Sequence, residues 1–273
     1  MIHRGSAHYR LSLAGGGTDL GEGEGLCITL SLLWRCHVTR YEMWEPEGEH
    51  SRGSGTVDPD VDEGGEIWTK YHPILRHLPD VKPHHHFIVT HELPTRVGLG
   101  SSAALAYAAT GNWAATYAID KAATGAGWHD AWGVALDGIH ACNGSHAVEL
   151  GNPDYWLTQN LLLFSTGGTH TEARNASALD PKVRELALEE ARALRDNPNL
   201  EVLAWCMDRQ WERKIAYAPE SVMTAIVAVN KFPWFISAKS TGSRGAGFGV
   251  VLTKDRDRAR NALVECGARV WMP

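Results

Sequence analysis

Apolar and polar residues alternate in part over residues 8 to 14 and 26 to 41, both rich in Leu, Ile, Val, Thr and aromatic side chains. This period predicts two strands, and between them lies a glycine-rich turn from Gly15 to Gly25. Residues 46 to 65 are acidic, polar and glycine-rich and read as a surface loop, and Phe87 to Thr90 reads as a further strand. The alanine-rich run from Ser101 to Ala123 predicts one long helix, and a second is expected from about Asp130 to Cys142. Asp180 caps and Pro181 opens a helix of Leu, Ala, Glu and Arg that ends before Asn197-Pro198, and residues 200 to 215 and 219 to 230 suit two more. The chain closes on a strand at Phe248 to Leu252, a helix from Asp255 to Cys266 and a short strand at Ala268 to Trp271. Strands and helices in this order indicate an α+β fold, with a boundary near Asn160 to Phe164.

At 273 residues the chain can bury a full core, either as one domain or as two closely packed lobes. With 44% hydrophobic and 21% charged residues it has the composition of a globular protein, not of a disordered or fibrous one. A formal net charge of −6 argues against general binding to nucleic acid or to anionic membranes, because both need a dense basic face. The five cysteines are scattered without a CxxC pair, and no apolar run reaches the length of a membrane span. Reduced thiols and a cytoplasmic location are therefore expected. The triplet His84-His85-His86 leads into an apolar run and reads as a strand entry, while His140, Cys142 and His146 read as parts of a helix and its end. The eleven tryptophans read as core packing, with a homodimer surface as the alternative.

Three glycine-rich segments carry the chemistry. In the first, Arg10-Leu-Ser-Leu-Ala14-Gly15-Gly16-Gly17-Thr18-Asp19, a strand delivers an arginine and then a bare backbone that ends in a carboxylate. In the second, Pro94-Thr95-Arg96-Val97-Gly98-Leu99-Gly100-Ser101-Ser102-Ala103, glycines run straight into a helix. Free N–H groups and the positive end of the helix dipole make that junction a phosphate cradle, and a serine hydroxyl there can ligate Mg²⁺. It is neither a Walker A loop nor a dinucleotide-binding turn. The third, Lys239-Ser240-Thr241-Gly242-Ser243-Arg244-Gly245-Ala246-Gly247-Phe248, is a small-residue loop entering an apolar strand. Each could be a structural turn; three in one chain imply three close approaches of backbone to ligand.

In sequence, order and spacing these segments resemble the motifs of the GHMP kinases, the group of galactokinase, homoserine kinase, mevalonate kinase and phosphomevalonate kinase, over nearly the whole chain. The Gly-Gly-Gly-Thr-Asp form of the first motif, Leu161 to Gly167 and Trp211-Glu-Arg-Lys214 look like the branch of heptose-7-phosphate and fucose kinases. The resemblance implies an N-terminal lobe like ribosomal protein S5 domain 2 over residues 1–160 and a ferredoxin-like C-terminal lobe over 161–273, with ATP and Mg²⁺ as cofactors and a sugar or sugar phosphate as acceptor. It places Arg96, Gly98, Leu99, Gly100, Ser101, Ser102 and Ala103 around the ATP phosphates. Gly16, Gly17, Thr18, Asp19, Gly242 and Gly245 fall beside the acceptor, and Arg10 beside the reacting hydroxyl.

Members of the family carry a base and a magnesium-binding glutamate around a Gly-x-Pro segment, for which this chain offers Glu149-Leu-Gly-Asn-Pro-Asp154. Aligned without gaps, the base falls on Leu157 or Thr158, neither of which accepts a proton usefully. With a few residues deleted, Asp154 becomes the base and Glu149 joins Ser102 at the metal. Arg244 and Ala246 also stand where relatives have glycine. The second function class is thus a catalytically weak module that binds nucleotide or sugar phosphate, and a third is a kinase for a non-sugar alcohol such as homoserine or mevalonate.

Overall fold

A computed structural model describes residues 3–16, 25–42, 66–69, 74–82, 85–95, 97–152, 154–167, 181–242 and 247–273. Two antiparallel sheets organise the chain. The first is built on β2 (Cys27–Glu42), which pairs along one edge with β1 (His3–Ala14). Along its other edge β2 pairs with β4 (His85–His91) through residues 36 to 42 and with β5 (Ile139–Cys142) through residues 27 to 30. Strands β3 (Glu66–Thr69) and β6 (Ala147–Gly151) close the two ends. The second sheet has the order β10-β7-β9-β8, from β7 (Leu161–Ser165), β8 (Phe235–Ser240), β9 (Phe248–Thr253) and β10 (Arg269–Trp271).

The apolar runs of the second sheet have a simple cause: both of its faces are covered. Along β7, Leu161 and Leu163 enter one hydrophobic cluster while Leu162 and Phe164 enter another, and along β9 Phe248, Val250 and Leu252 alternate in the same way with Val251. This is the period of two of an extended chain. The first cluster also takes Ala187 and Leu194 of α5 (Pro181–Asp196), Leu203 and Met207 of α6 (Leu200–Lys214), and Tyr9, Leu11 and Leu13 of β1, so the two sheets share a core. The second cluster is completed by α7 (Glu220–Asn230) and α8 (Arg256–Glu265). On β1 the alternate positions Arg10 and Ser12 are polar yet only 6% and 7% exposed. Buried polar groups at consecutive same-face positions of a strand demand partners.

The long helix expected over 101 to 123 is two, α1 (Ser101–Thr110) and α2 (Trp113–Thr124). Gly111 ends the first, and the Asn112 side chain caps the second by accepting from Ala115 N at 3.0 Å. The helix expected over 130 to 142 is also corrected. Helix α3 is short (Trp128–Ala135), the chain turns at Gly138 with φ +92°, and His140 and Cys142 lie on β5. Helix α4 (Asp154–Asn160) runs into β7. The loop expected over 46 to 65 lies outside the described residues. None of the five cysteines forms a disulfide, four of them are buried, and among the described residues no helix is long and apolar enough to cross a membrane.

Candidate active site

The three glycine-rich segments meet. The Arg10 backbone N–H donates to Leu99 O at 3.0 Å, joining the first to the second. The Thr241 hydroxyl donates to Val97 O at 2.5 Å, joining the third to the second. Lys239, only 1% exposed, donates its ammonium protons to Ser12 O and to Gln210 Oε1 of α6, joining the third to the first. Gly98 shows why these loops carry glycine. Its φ is +74°, and a Cβ there would stand 2.4 Å from Gly242 Cα. A left-handed backbone and a backbone-to-backbone contact both exclude side chains. Gly98→Ala is therefore expected to destabilise the protein by about 2 kcal/mol or more, seen as a lower melting temperature. An unchanged melting point would show that the two loops separate freely.

Helix α1 begins at this junction behind Gly100, whose φ is +71° and which has no side chain to cap the helix. Its first N–H groups and dipole face the place where the segments converge, an arrangement suited to an anion. Ser101 and Ser102 are partly exposed there. Leu99 and Ala103 are fully buried and hold the turn to the core.

Beneath the turn, Arg10 extends across α3. Gly133 makes room, since a Cβ at that position would fall 2.3 Å from Thr29 Oγ1 and 2.8 Å from Arg10 Cβ. The guanidinium reaches Gly98 O at 3.4 Å and makes a close ion pair through Nη2 with Asp130 Oδ1, in the first turn of α3. Both side chains are largely buried, at 8% and 14% exposure. His129 Nδ1 stands 3.0 Å from the same carboxylate oxygen. Among the described residues, Arg10 Nε, Ser12 Oγ, Thr29 Oγ1 and Ser240 Oγ are buried without hydrogen-bond partners. Their concentration here is what a site built for a polar ligand leaves behind.

A second carboxylate, Asp120 of α2, is 1% exposed and lies beside the Ser102 side chain, whose hydroxyl favours its charged form. Thr124 also donates to its Oδ1 at 3.1 Å, while Oδ2 is buried without a partner among the described residues. Burial, then the charge of Asp130, pushes the Asp120 carboxyl up to about 7 against the opposing pull of Ser102, Thr124 and Arg10. A buried, half-satisfied carboxylate beside a serine at an anion-binding helix end fits a hard divalent cation such as Mg²⁺. Among the described residues no three His, Cys, Asp or Glu side chains gather as a metal cluster, so such a cation would need oxygens from its ligand.

Glu149 is exposed on the edge strand β6, opposite His140, and the carboxylate beside Ser102 is Asp120. Asp154 opens α4, and that helix is tied to the second sheet and α8 by Asn160 Nδ2 to Thr253 O at 2.8 Å and by Arg256 Nη1 to Thr158 O. The Asp154 side chain is not among those described. The carboxylate that reaches Arg10 is Asp130. Gly16 is exposed where the first turn leaves β1, Gly242 follows Thr241 at the loop junction, and Gly17, Thr18, Asp19, Arg96 and Gly245 lie outside the described residues. Sequence reading missed Asp120 and Asp130. The available signal was a lone acid in each of two short, small-residue helices, Ala118-Ile119-Asp120 and Trp128-His129-Asp130.

No family model matches the sequence, and no curated protein does. Solved structures match over the full length. A D-glycero-D-manno-heptose 1-phosphate kinase from Bacteroides thetaiotaomicron is 17% identical with a TM-score of 0.65, covering 100% of this chain and 99% of that one. Mevalonate kinase from methicillin-resistant Staphylococcus aureus MRSA252 is 16% identical with a TM-score of 0.61, covering 99% and 98%. Lactococcus lactis galactokinase, in complex with galactose, is 9% identical with a TM-score of 0.65, covering 99% and 92%. From end to end, the chain has the fold of the GHMP kinases.

Proposed function

We propose that the protein is an ATP-dependent kinase that phosphorylates a hydroxyl of a small molecule, with a sugar or sugar phosphate of the heptose-7-phosphate kind as acceptor. The observation that carries this reading is the buried Arg10–Asp130 pair set beside the helix end behind Gly98 and Gly100. The likeness of fold to a heptose 1-phosphate kinase and a galactokinase supports the sugar branch.

In this reading the first N–H groups of α1 hold the ATP phosphates. Ser102 and Asp120 would hold Mg²⁺, which when bound offsets phosphate charge. Asp130 accepts the proton of the acceptor hydroxyl. The acceptor oxygen forms its bond to the γ-phosphorus, the bond from that phosphorus to the β–γ bridging oxygen breaks, and the electron pair leaves with ADP. Arg10 orients Asp130 and offsets charge that develops at the transferred group. Phosphoryl transfer depends chiefly on positioning and charge neutralisation, and this arrangement supplies both.

The test is ADP release from ATP and Mg²⁺ against a panel of sugars, heptose 7-phosphate and other sugar phosphates, mevalonate and homoserine. Turnover with a sugar or sugar phosphate is expected; turnover only with mevalonate or homoserine would move the acceptor to the non-sugar class. Nucleotide binding without turnover on any acceptor would leave the binding-module reading. With the acceptor in hand, Ser102→Ala is expected to lower kcat by about 10-fold to 100-fold without changing the melting temperature. Wild-type turnover in that variant would return Ser102 to a role at the helix start.

A further inference from the structure

We propose that Ser12 is a specificity-determining residue that binds a hydroxyl of the acceptor beside the one phosphorylated; the inference rests on the sugar reading of the site and deepens it. Ser12 and Arg10 occupy alternate positions of β1 and so share a face, about 7 Å apart along the strand. Ser12 is 7% exposed, and its hydroxyl has no partner among the described residues. Thr29 stands directly opposite on β2, where serine and threonine commonly bond each other, yet its hydroxyl too is unpaired among the described residues.

A hydroxyl that serves the fold alone is paired. Ser31, opposite Arg10 in the same stretch, accepts from Gly138 N at 2.6 Å. Ser12 differs: its carbonyl accepts from Lys239 Nζ, which fixes the backbone, while its hydroxyl is left over. The turn above it is bare. Gly16 is exposed where the first glycine segment leaves β1, and a Cβ there would stand 3.2 Å from Ser12 Oγ. A side chain at 16 would crowd the hydroxyl, whereas glycine leaves it open to a ligand held beside Arg10. The ligand group this suits is neutral. A serine hydroxyl both donates and accepts, and so does a sugar hydroxyl. A carboxylate or phosphate at that depth would call for a cation, and Arg10 is already paired with Asp130.

The test takes the sugar or sugar phosphate of the panel that turns over fastest, together with its monodeoxy analogues. Ser12→Ala is expected to lower kcat/KM for the parent acceptor by about 5-fold to 100-fold, with KM for ATP unchanged. One monodeoxy analogue should cost the wild-type protein a similar factor. The same analogue should cost the variant little more, because each change removes one half of the same hydrogen bond. Without ligand the variant should melt no lower than wild-type, since the hydroxyl it loses has no partner among the described residues. If Ser12 only packs, the variant loses nothing, or loses equally on the parent and on every analogue, and either result overturns the proposal. Should Ser12→Ala not fold, Ser12→Cys, near in size and a weak donor, runs the same cycle. The two readings fail separately. Wild-type turnover confined to mevalonate or homoserine, or absent on every acceptor, removes the sugar reading and the inference with it; sugar turnover with additive losses refutes Ser12 alone.

Discussion

Asp130→Asn is expected to lower kcat by about 10²-fold to 10⁴-fold, the range a positioned general base supplies, with the KM for ATP little changed. Asparagine keeps the shape and can still accept from Arg10, so the fold should survive and the loss should be chemical. Arg10→Ala is expected to be at least as severe. It removes the cation from a pair whose side chains are 8% and 14% exposed and leaves Asp130 poorly solvated without its partner. Asp154→Asn provides the contrast. Its helix is tied to the second sheet, and turnover in that variant should stay near wild-type. Steady-state kinetics on the three variants decide between the two aspartates: a large loss for Asp154→Asn with none for Asp130→Asn would restore the segment around Gly-Asn-Pro as the source of the base.

The contrast also shows what the sequence made legible. The glycine segments could be read because each meets a local backbone demand: a left-handed turn at Gly98 and Gly100 and a bare backbone opposite Gly242 leave a mark in adjacent residues. Strands β7 and β9 could be read because continuous apolar runs follow from burial on both faces. Asp120 and Asp130 carry no such mark. Each is one acid in a helix, and it reaches its partner only because α2 and α3 fold against α1 and β1 from 18 and 120 residues along the chain, respectively. The Gly-Asn-Pro segment drew attention by likeness of letters, whereas Arg10 selects its carboxylate by packing under Gly133. The helix expected over 130 to 142 gave no sign of the turn at Gly138, after which the chain leaves the site along β5.

Asp120→Asn is expected to lower turnover by at least about 10²-fold and, at the same time, to make the protein more stable at alkaline pH. The activity loss follows if Asp120 and Ser102 hold Mg²⁺. An amide is a poorer ligand than a carboxylate, and stabilisation of the protein by Mg²⁺ with ATP should shrink in the variant. The stability gain follows from burial. The Asp120 carboxyl is pushed up to about 7, so the native state binds a proton more tightly than the unfolded chain does, whose carboxyl titrates near 4. What Asp120 contributes to stability is thus fully present below about pH 4 and is lost as the pH rises through about 7, in all by roughly 4 kcal/mol. Asparagine does not ionise and escapes that loss. Its new N–H group, placed where Oδ2 lacks a partner among the described residues, costs about 1–3 kcal/mol, so the net gain at pH 8 is roughly 1–3 kcal/mol, or about 5 °C in melting temperature. At pH 5 most of that gain should vanish, because wild-type Asp120 is then protonated. Thermal melts of both proteins at pH 5 and pH 8 without Mg²⁺, together with turnover in its presence, test the two halves separately. A melting difference that does not depend on pH would refute the shifted carboxyl, and wild-type turnover would remove Asp120 from the metal.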